Sequence, residues 1–401
     1  MPTMHLSALA QLGLTGLLVA LLPLTMVWVS ADANKYRKLV WIAVFLTVDL
    51  IMFGGFTRLS DSGLGCPDWP GCYGSANPFL AHEHIVAAET LMPTGPVTVV
   101  KAWIEMTHRY LAMAIGVLIV AMMVQAWRQW RKKDEQGSRR EEFAPALPTA
   151  LFFFVCLQGA FGAWTVTLKL QPVIVTIHLL LGMGLLSLLV WLGGRQDHAV
   201  SPVLRADADA SVLRPVRALA IFSAMLLTVQ IALGGWVSTN YAALACTDFP
   251  LCAGKVIPEM DFEHGFYLWR ELGKTAAGHY LPFSALTAIH WVHRNFAFVV
   301  LAGIGYTVFR AWKLPSLRGT ARLIALVLAL QAATGMATIY LNWPLAIAVL
   351  HNGGAALLVL LLTMLNYKAK FQLDAALQRS VYRASTSATV PTAPGSTSRI
   401  S

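Results

Sequence analysis

Long apolar runs bounded by charged or turn-forming residues recur near 11–30, 39–57, 103–127, 147–166, 173–193, 218–237, 285–309, 322–341 and 345–365. Each is close to the roughly 20 residues that a helix needs to cross about 30 Å of hydrocarbon. The pattern therefore predicts nine transmembrane helices and an all-α integral membrane protein. No Lys or Arg precedes the first run, and Lys35, Arg37 and Lys38 follow it, the reverse of a secretory leader. It is read as a retained span with its N-terminus outside. Beyond 366 the chain turns polar, and from Arg383 to Ser401 it is rich in Ser, Thr, Ala and Pro, which predicts a largely disordered tail.

Composition narrows the class. Of 401 residues, 57% are hydrophobic and 12% charged, against about 25% charged in an ordinary soluble domain, so a water-soluble enzyme is excluded. The net charge of +10 reads as topology and not as a nucleic-acid partner. The segments 31–38, 128–146, 194–217, 310–322 and the tail hold 22 of the 30 basic residues, and the opposite side holds Arg58, Lys101, Lys169, Lys255, Arg270 and Lys274. That bias places the first group in the cytoplasm and the long segments 58–102 and 238–284 outside. An N-terminus outside and a cytoplasmic C-terminus follow, which in a bacterial inner membrane makes the outer side periplasmic.

The chain also resembles itself. Gly54-Gly55 recurs as Gly234-Gly235, and Cys66, Asp68, Pro70 and Cys72 recur as Cys246, Asp248, Pro250 and Cys252, each 180 positions on. His108-Arg109 returns as His293-Arg294, and Gln158 and His178 return as Gln331 and His351. Five features in one order predict a parallel duplication. The expected layout is an extra helix and short loop at 1–38, a four-helix bundle at 39–193, a cytoplasmic linker at 194–217, a second bundle at 218–365, and the tail 366–401.

Of eleven histidines, His108, His178, His290, His293 and His351 fall inside spans, where an ionisable group is costly and marks function. The four repeat-related ones lie on the second and fourth helices of each bundle, at similar depth. His108 with His178, and His293 with His351, can therefore face each other across a bundle core, as in bis-imidazole ligation of a haem iron. The copies differ at one position: Glu105 stands three residues before His108, and His290 three before His293. Glu105 can act chemically, or simply accept a hydrogen bond from an imidazole. For Asp49, deep in a span, a structural hydrogen bond is expected. Arg109 and Arg294 are candidate partners of haem propionates, a packing role being equally open. Cys66 with Cys72, and Cys246 with Cys252, lie in outer loops and are expected as disulfides, either as staples or for thiol–disulfide exchange. Cys156 is expected to be a small buried residue.

The run from Gly54-Gly55 through Thr57-Arg58 and Ser62-Gly63 to Cys66, followed by Glu105, His108-Arg109, His290, His293-Arg294 and His351-Asn352, resembles the haem A synthase family of the cysteine-containing bacterial type. The match spans about 39 to 365, and the segment 1–38 departs from the usual eight-helix pattern. The resemblance implies oxidation of a pyrrole methyl group of haem O to a formyl group through a hydroxymethyl, with water as oxygen source, for terminal oxidases. By position, His108 and His178 would hold the substrate haem, and His293 and His351 a permanent haem b. Glu105 would stabilise the cationic carbon or deprotonate the attacking water. Implied partners are haem O synthase, cytochrome oxidase assembly factors and an electron acceptor of unknown identity, with self-association also open. Two readings compete: a di-haem cytochrome between quinol and a periplasmic partner, and a haem-handling carrier.

Overall fold

The computed structural model describes residues 2–133 and 137–388. Its helices are α1 (Pro2–Trp28), α2 (Lys35–Leu59), α3 (His82–Leu91), α4 (Val99–Trp130), α5 (Ala146–Thr167), α6 (Pro172–Val200), α7 (Ala210–Thr239), α8 (Phe262–Gly265), α9 (Phe283–Trp312), α10 (Pro315–Tyr340) and α11 (Leu345–Ala388). Local chemistry sets several starts. Asn34 and Thr98 accept from the backbone N–H three residues on, capping α2 and α4. Pro172 and Pro315 open α6 and α10, where a missing N–H costs nothing. Nine helices among the described residues are long and apolar enough to cross a membrane, and the chain is a multi-pass membrane protein.

The helices close into two rings. α2 packs on α4, α4 on α5, α5 on α6, and α6 back on α2; α7, α9, α10 and α11 close in the same order. The rings meet through α2 with α11, α6 with α7, and α6 with α11. Close approach there needs glycine. A Cβ on Gly55 of α2 would lie 2.4 Å from Asn352 of α11, and one on Gly235 of α7 would lie 3.1 Å from Leu179 of α6. Asn352 also donates to the carbonyl of Ile51 across this seam at 3.1 Å. At the cysteine-loop end, Arg58 stacks on Tyr241 at 4.4 Å and donates to the carbonyl of Ser238 at 2.7 Å, while Tyr241 donates to Asp61 at 2.7 Å. Ser238 and Tyr241 stand 180 positions from Arg58 and Asp61, the same offset as between the two cysteine loops.

α1 stands outside the rings, against α4 and α2. Its Gly16 lies so near Met113 that a Cβ would come within 2.4 Å. At the other terminus the structure corrects the expected tail: the helix continues past 365 to Ala388, and 389–401 lie outside the described residues. The cause is an apolar face that hydropathy alone hides. Tyr367, Ala369, Leu373 and Ala376 are buried, Phe371 stacks on His198 at 4.0 Å, and Gln372 accepts from the N–H of Asp207 at 3.1 Å.

Candidate functional site

In each ring the two histidines occupy helices that are not neighbours. His108 is on α4 and His178 on α6; His293 is on α9 and His351 on α11. Each lies roughly 9 to 15 Å from the start of its helix at 1.5 Å per residue. The other diagonal supplies glycines. A Cβ on Gly54 of α2 would meet His108 at 3.0 Å, and one on Gly162 of α5 would meet His178 at 3.1 Å. In the second ring a Cβ on Gly234 of α7 would meet His293 at 3.0 Å, and one on Gly335 of α10 would meet His351 at 3.1 Å. Gly162 and Gly335 are offset by the same 173 as the histidines they face, a signal that the sequence reading did not use.

Polar neighbours of these rings are incompletely satisfied. Gln158 donates to the carbonyl of His178 at 3.1 Å, Gln230 to that of His293 at 3.2 Å, and Thr334 is 3.0 Å from Nδ1 of His351. Yet His178 Nδ1 and the amide oxygens of Gln158, Gln230 and Gln331 are buried without a hydrogen bond. Each such group costs about 1–3 kcal/mol in a protein interior. These groups lie close to the histidines of both rings. Among the described residues no group of three or more His, Cys, Asp or Glu could hold a metal; what each ring offers is two imidazoles. Paired axial imidazoles on a macrocycle-bound iron have that donor set.

Above each pair sits one loop, built twice. Cys66 is bonded to Cys72 and Cys246 to Cys252. Asp68 accepts from the N–H groups of Tyr73 and Gly74 at 2.6 and 2.7 Å, and Asp248 from those of Ala253 and Gly254, both at 2.8 Å. The donors at Gly254 and Ala253 hold the Asp248 carboxyl below the usual carboxylate range. Arg109 donates to the carbonyls of Asp68, Pro70 and Gly71 at 3.1, 3.3 and 2.6 Å. Arg294 does the same to Asp248, Pro250 and Leu251 at 2.9, 3.0 and 2.9 Å. Both arginines thus bind loop backbone.

The asymmetric position lies beneath these loops. Glu105 is buried, accepts from the N–H of Cys66 at 2.8 Å and is ion-paired with Arg109. His290 accepts from the N–H of Cys246 at 3.2 Å through Nδ1. The two residues share one job, receiving the first cysteine's N–H; the first copy alone adds a negative charge. Two other expectations fail. Asp49 is exposed on the outer face of α2 and makes no hydrogen bond, contrary to the structural bond expected of it. Cys156 is exposed and not buried, because α5 packs on α4 and α6 and turns Phe153, Cys156 and Leu157 away from them.

Comparison with known proteins agrees with this geometry. The sequence model of the Cytochrome oxidase assembly protein family matches residues 37–363. The Heme A synthase of Shewanella oneidensis is 36% identical over 333 residues, which cover 82% of this chain and 96% of that relative. The Heme A synthase of Rhizorhabdus wittichii is 28% identical over 350 residues, covering 82% and 92%, and that of Hyphomonas neptunium 27% over 346, covering 80% and 89%. With two helical rings, each carrying a histidine pair under a cysteine loop, and with these relatives spanning both, the chain belongs to the haem A synthase family.

Proposed function

We propose that this chain is a haem A synthase of the bacterial inner membrane, oxidising the pyrrole methyl group of haem O to a formyl group for cytochrome oxidase assembly. The observation that carries the reading is the crossed diagonals: in each ring two histidines stand on one pair of non-neighbouring helices, and glycines of the other pair lie against their imidazoles. The unsatisfied amides around them support a fit to a bound haem. His108 and His178 would hold substrate haem O, and His293 and His351 a resident haem b. Haem b, when bound, supplies one-electron transfer. Conversion of methyl to hydroxymethyl takes up one water and releases two protons and two electrons; conversion to formyl releases two more of each. The electrons leave toward an external acceptor. Glu105, among the described residues the carboxylate beneath the first cysteine loop where the second has His290, would offset positive charge developing at the methyl carbon or take the proton of the attacking water. Arg109 holds Glu105 and the loop together, and haem O synthase supplies the substrate.

The basic bias supports a periplasmic placement for the cysteine loops and a cytoplasmic one for the extended end of α11. The recurring contacts support reading 39–193 and 218–365 as copies of one unit. A bacterial strain without its own haem A synthase should regain a haem A-containing oxidase spectrum when this chain is expressed. No recovery from a chain that accumulates in the membrane would overturn the proposal.

The glycine cradles can be tested by adding a single methyl. Gly54→Ala should displace His108 and lower haem occupancy of the first pair, read by pigment extraction, because a Cβ there would crowd the imidazole at 3.0 Å. Gly116→Ala, where a Cβ meets nothing within 4 Å, should leave occupancy unchanged. Equal occupancy in the two variants would remove the cradle role.

A further inference from the structure

The two cysteine loops are alike in backbone and unlike in cover. Ala76 of the first loop is 2% exposed, whereas Val256, 180 positions on, is 72% exposed. Pro70 is buried and Pro250 exposed, and Gly74 is half-buried where Gly254 is exposed. Two segments make the difference. Ile85 of α3 and Leu12 of α1 join Cys66, Cys72, Ala76, Ala102 and Met106 in one buried cluster. Gln11 of α1 accepts from the N–H of Ala76 at 3.1 Å, and the hydroxyl of Tyr110 donates to the carbonyl of the same residue. Ala76 is thus held at both backbone groups, once from α1 and once from α4. Only the first loop is held from α1, and α1 lies outside the residues matched by the family.

We infer that α1 is a strap which clamps the Cys66–Cys72 loop shut over Glu105, shielding that bridge from external thiols and reductants by slowing local opening, while the Cys246–Cys252 loop, whose cysteines are equally buried, lacks the strap and opens more readily. The connection is continuous. Gln11 fixes Ala76, Leu12 lies in the same buried cluster as both cysteines, and the N–H of Cys66 is held by Glu105. Gln11 and Leu12 are positioning residues, since neither touches the histidines. Their importance for haem chemistry rests on the function proposed above; the shielding does not.

The test measures bridge opening, which in a locally closed loop follows the free energy of local opening. In a Cys156→Ser background, one bridge is kept at a time, by Cys246→Ser with Cys252→Ser or by Cys66→Ser with Cys72→Ser. The full-length protein in detergent is treated with tris(2-carboxyethyl)phosphine, and released thiols are trapped with a polyethylene glycol maleimide. The first bridge should be reduced at least about tenfold more slowly than the second. Gln11→Leu with Leu12→Ala should remove that difference by speeding the first bridge alone, and Gln11→Glu, which keeps an acceptor for Ala76, should preserve the slow rate. Equal rates in the parent protein, or a first bridge unmoved by the double substitution, would overturn the strap. If the double variant does not accumulate, the parent comparison alone decides. A chain that made no haem A but kept the rate difference would sink the proposed function and leave the strap standing.

Discussion

Replacing Glu105 by glutamine is expected to lower haem A formation about 100- to 1,000-fold, the effect typical of removing one electrostatic stabiliser from a preorganised site, with haem binding and the Cys66–Cys72 bridge retained. The separation of effects comes from the structure. Glutamine keeps an oxygen for the N–H of Cys66, as His290 provides a nitrogen for that of Cys246, so the loop stays capped. What is lost is the negative charge, present only in the first copy. Arg109 would lose its ion-pair partner but keep three backbone carbonyls, which limits the stability cost below the 3–5 kcal/mol of a fully stranded buried charge. Glu105→His makes the sharper comparison, because it copies the second half into the first. It should keep the loop and lose the reaction. A Glu105→His protein that made haem A at the parent rate, by pigment chromatography, would reduce Glu105 to a loop cap.

The second large effect concerns the histidine pairs and differs between them. His293→Leu or His351→Leu should cut resident haem b by more than about tenfold, which is 1.4 kcal/mol or more of binding, and abolish haem A with it. His108→Leu or His178→Leu should leave haem b in place and remove haem O and its products. Extraction of pigment per mole of purified protein reads both. Loss of the same pigment from all four variants would contradict the assignment of one pair to substrate and one to resident haem.

Much of this arrangement is legible in the residues themselves. Nine apolar runs become nine long helices among the described residues, because each must satisfy its own backbone in lipid, and the offsets of 180, 185 and 173 put the histidines at corresponding places along the sequence. Other parts depend on contacts that no periodicity encodes. Arg109 and Arg294 could equally have faced a ligand; their use as loop anchors depends on carbonyls about forty residues away. The matching roles of Glu105 and His290 were hidden because a carboxylate and an imidazole look like a difference until both are seen receiving a cysteine N–H. The end of α11 reads as tail because Lys368 and Lys370 interrupt the hydropathy, although an amphipathic face continues. Cys156 looked buried because an apolar run in a membrane does not say which side meets lipid.

The most direct test of the central claim is the pigment content of the purified chain when it is produced together with a haem O synthase. Haem b together with haem O, its hydroxymethyl derivative or haem A is the predicted result, with the oxidised forms absent from Glu105→Gln. Unmodified haem b alone, with haem O abundant in the same membranes, would contradict it.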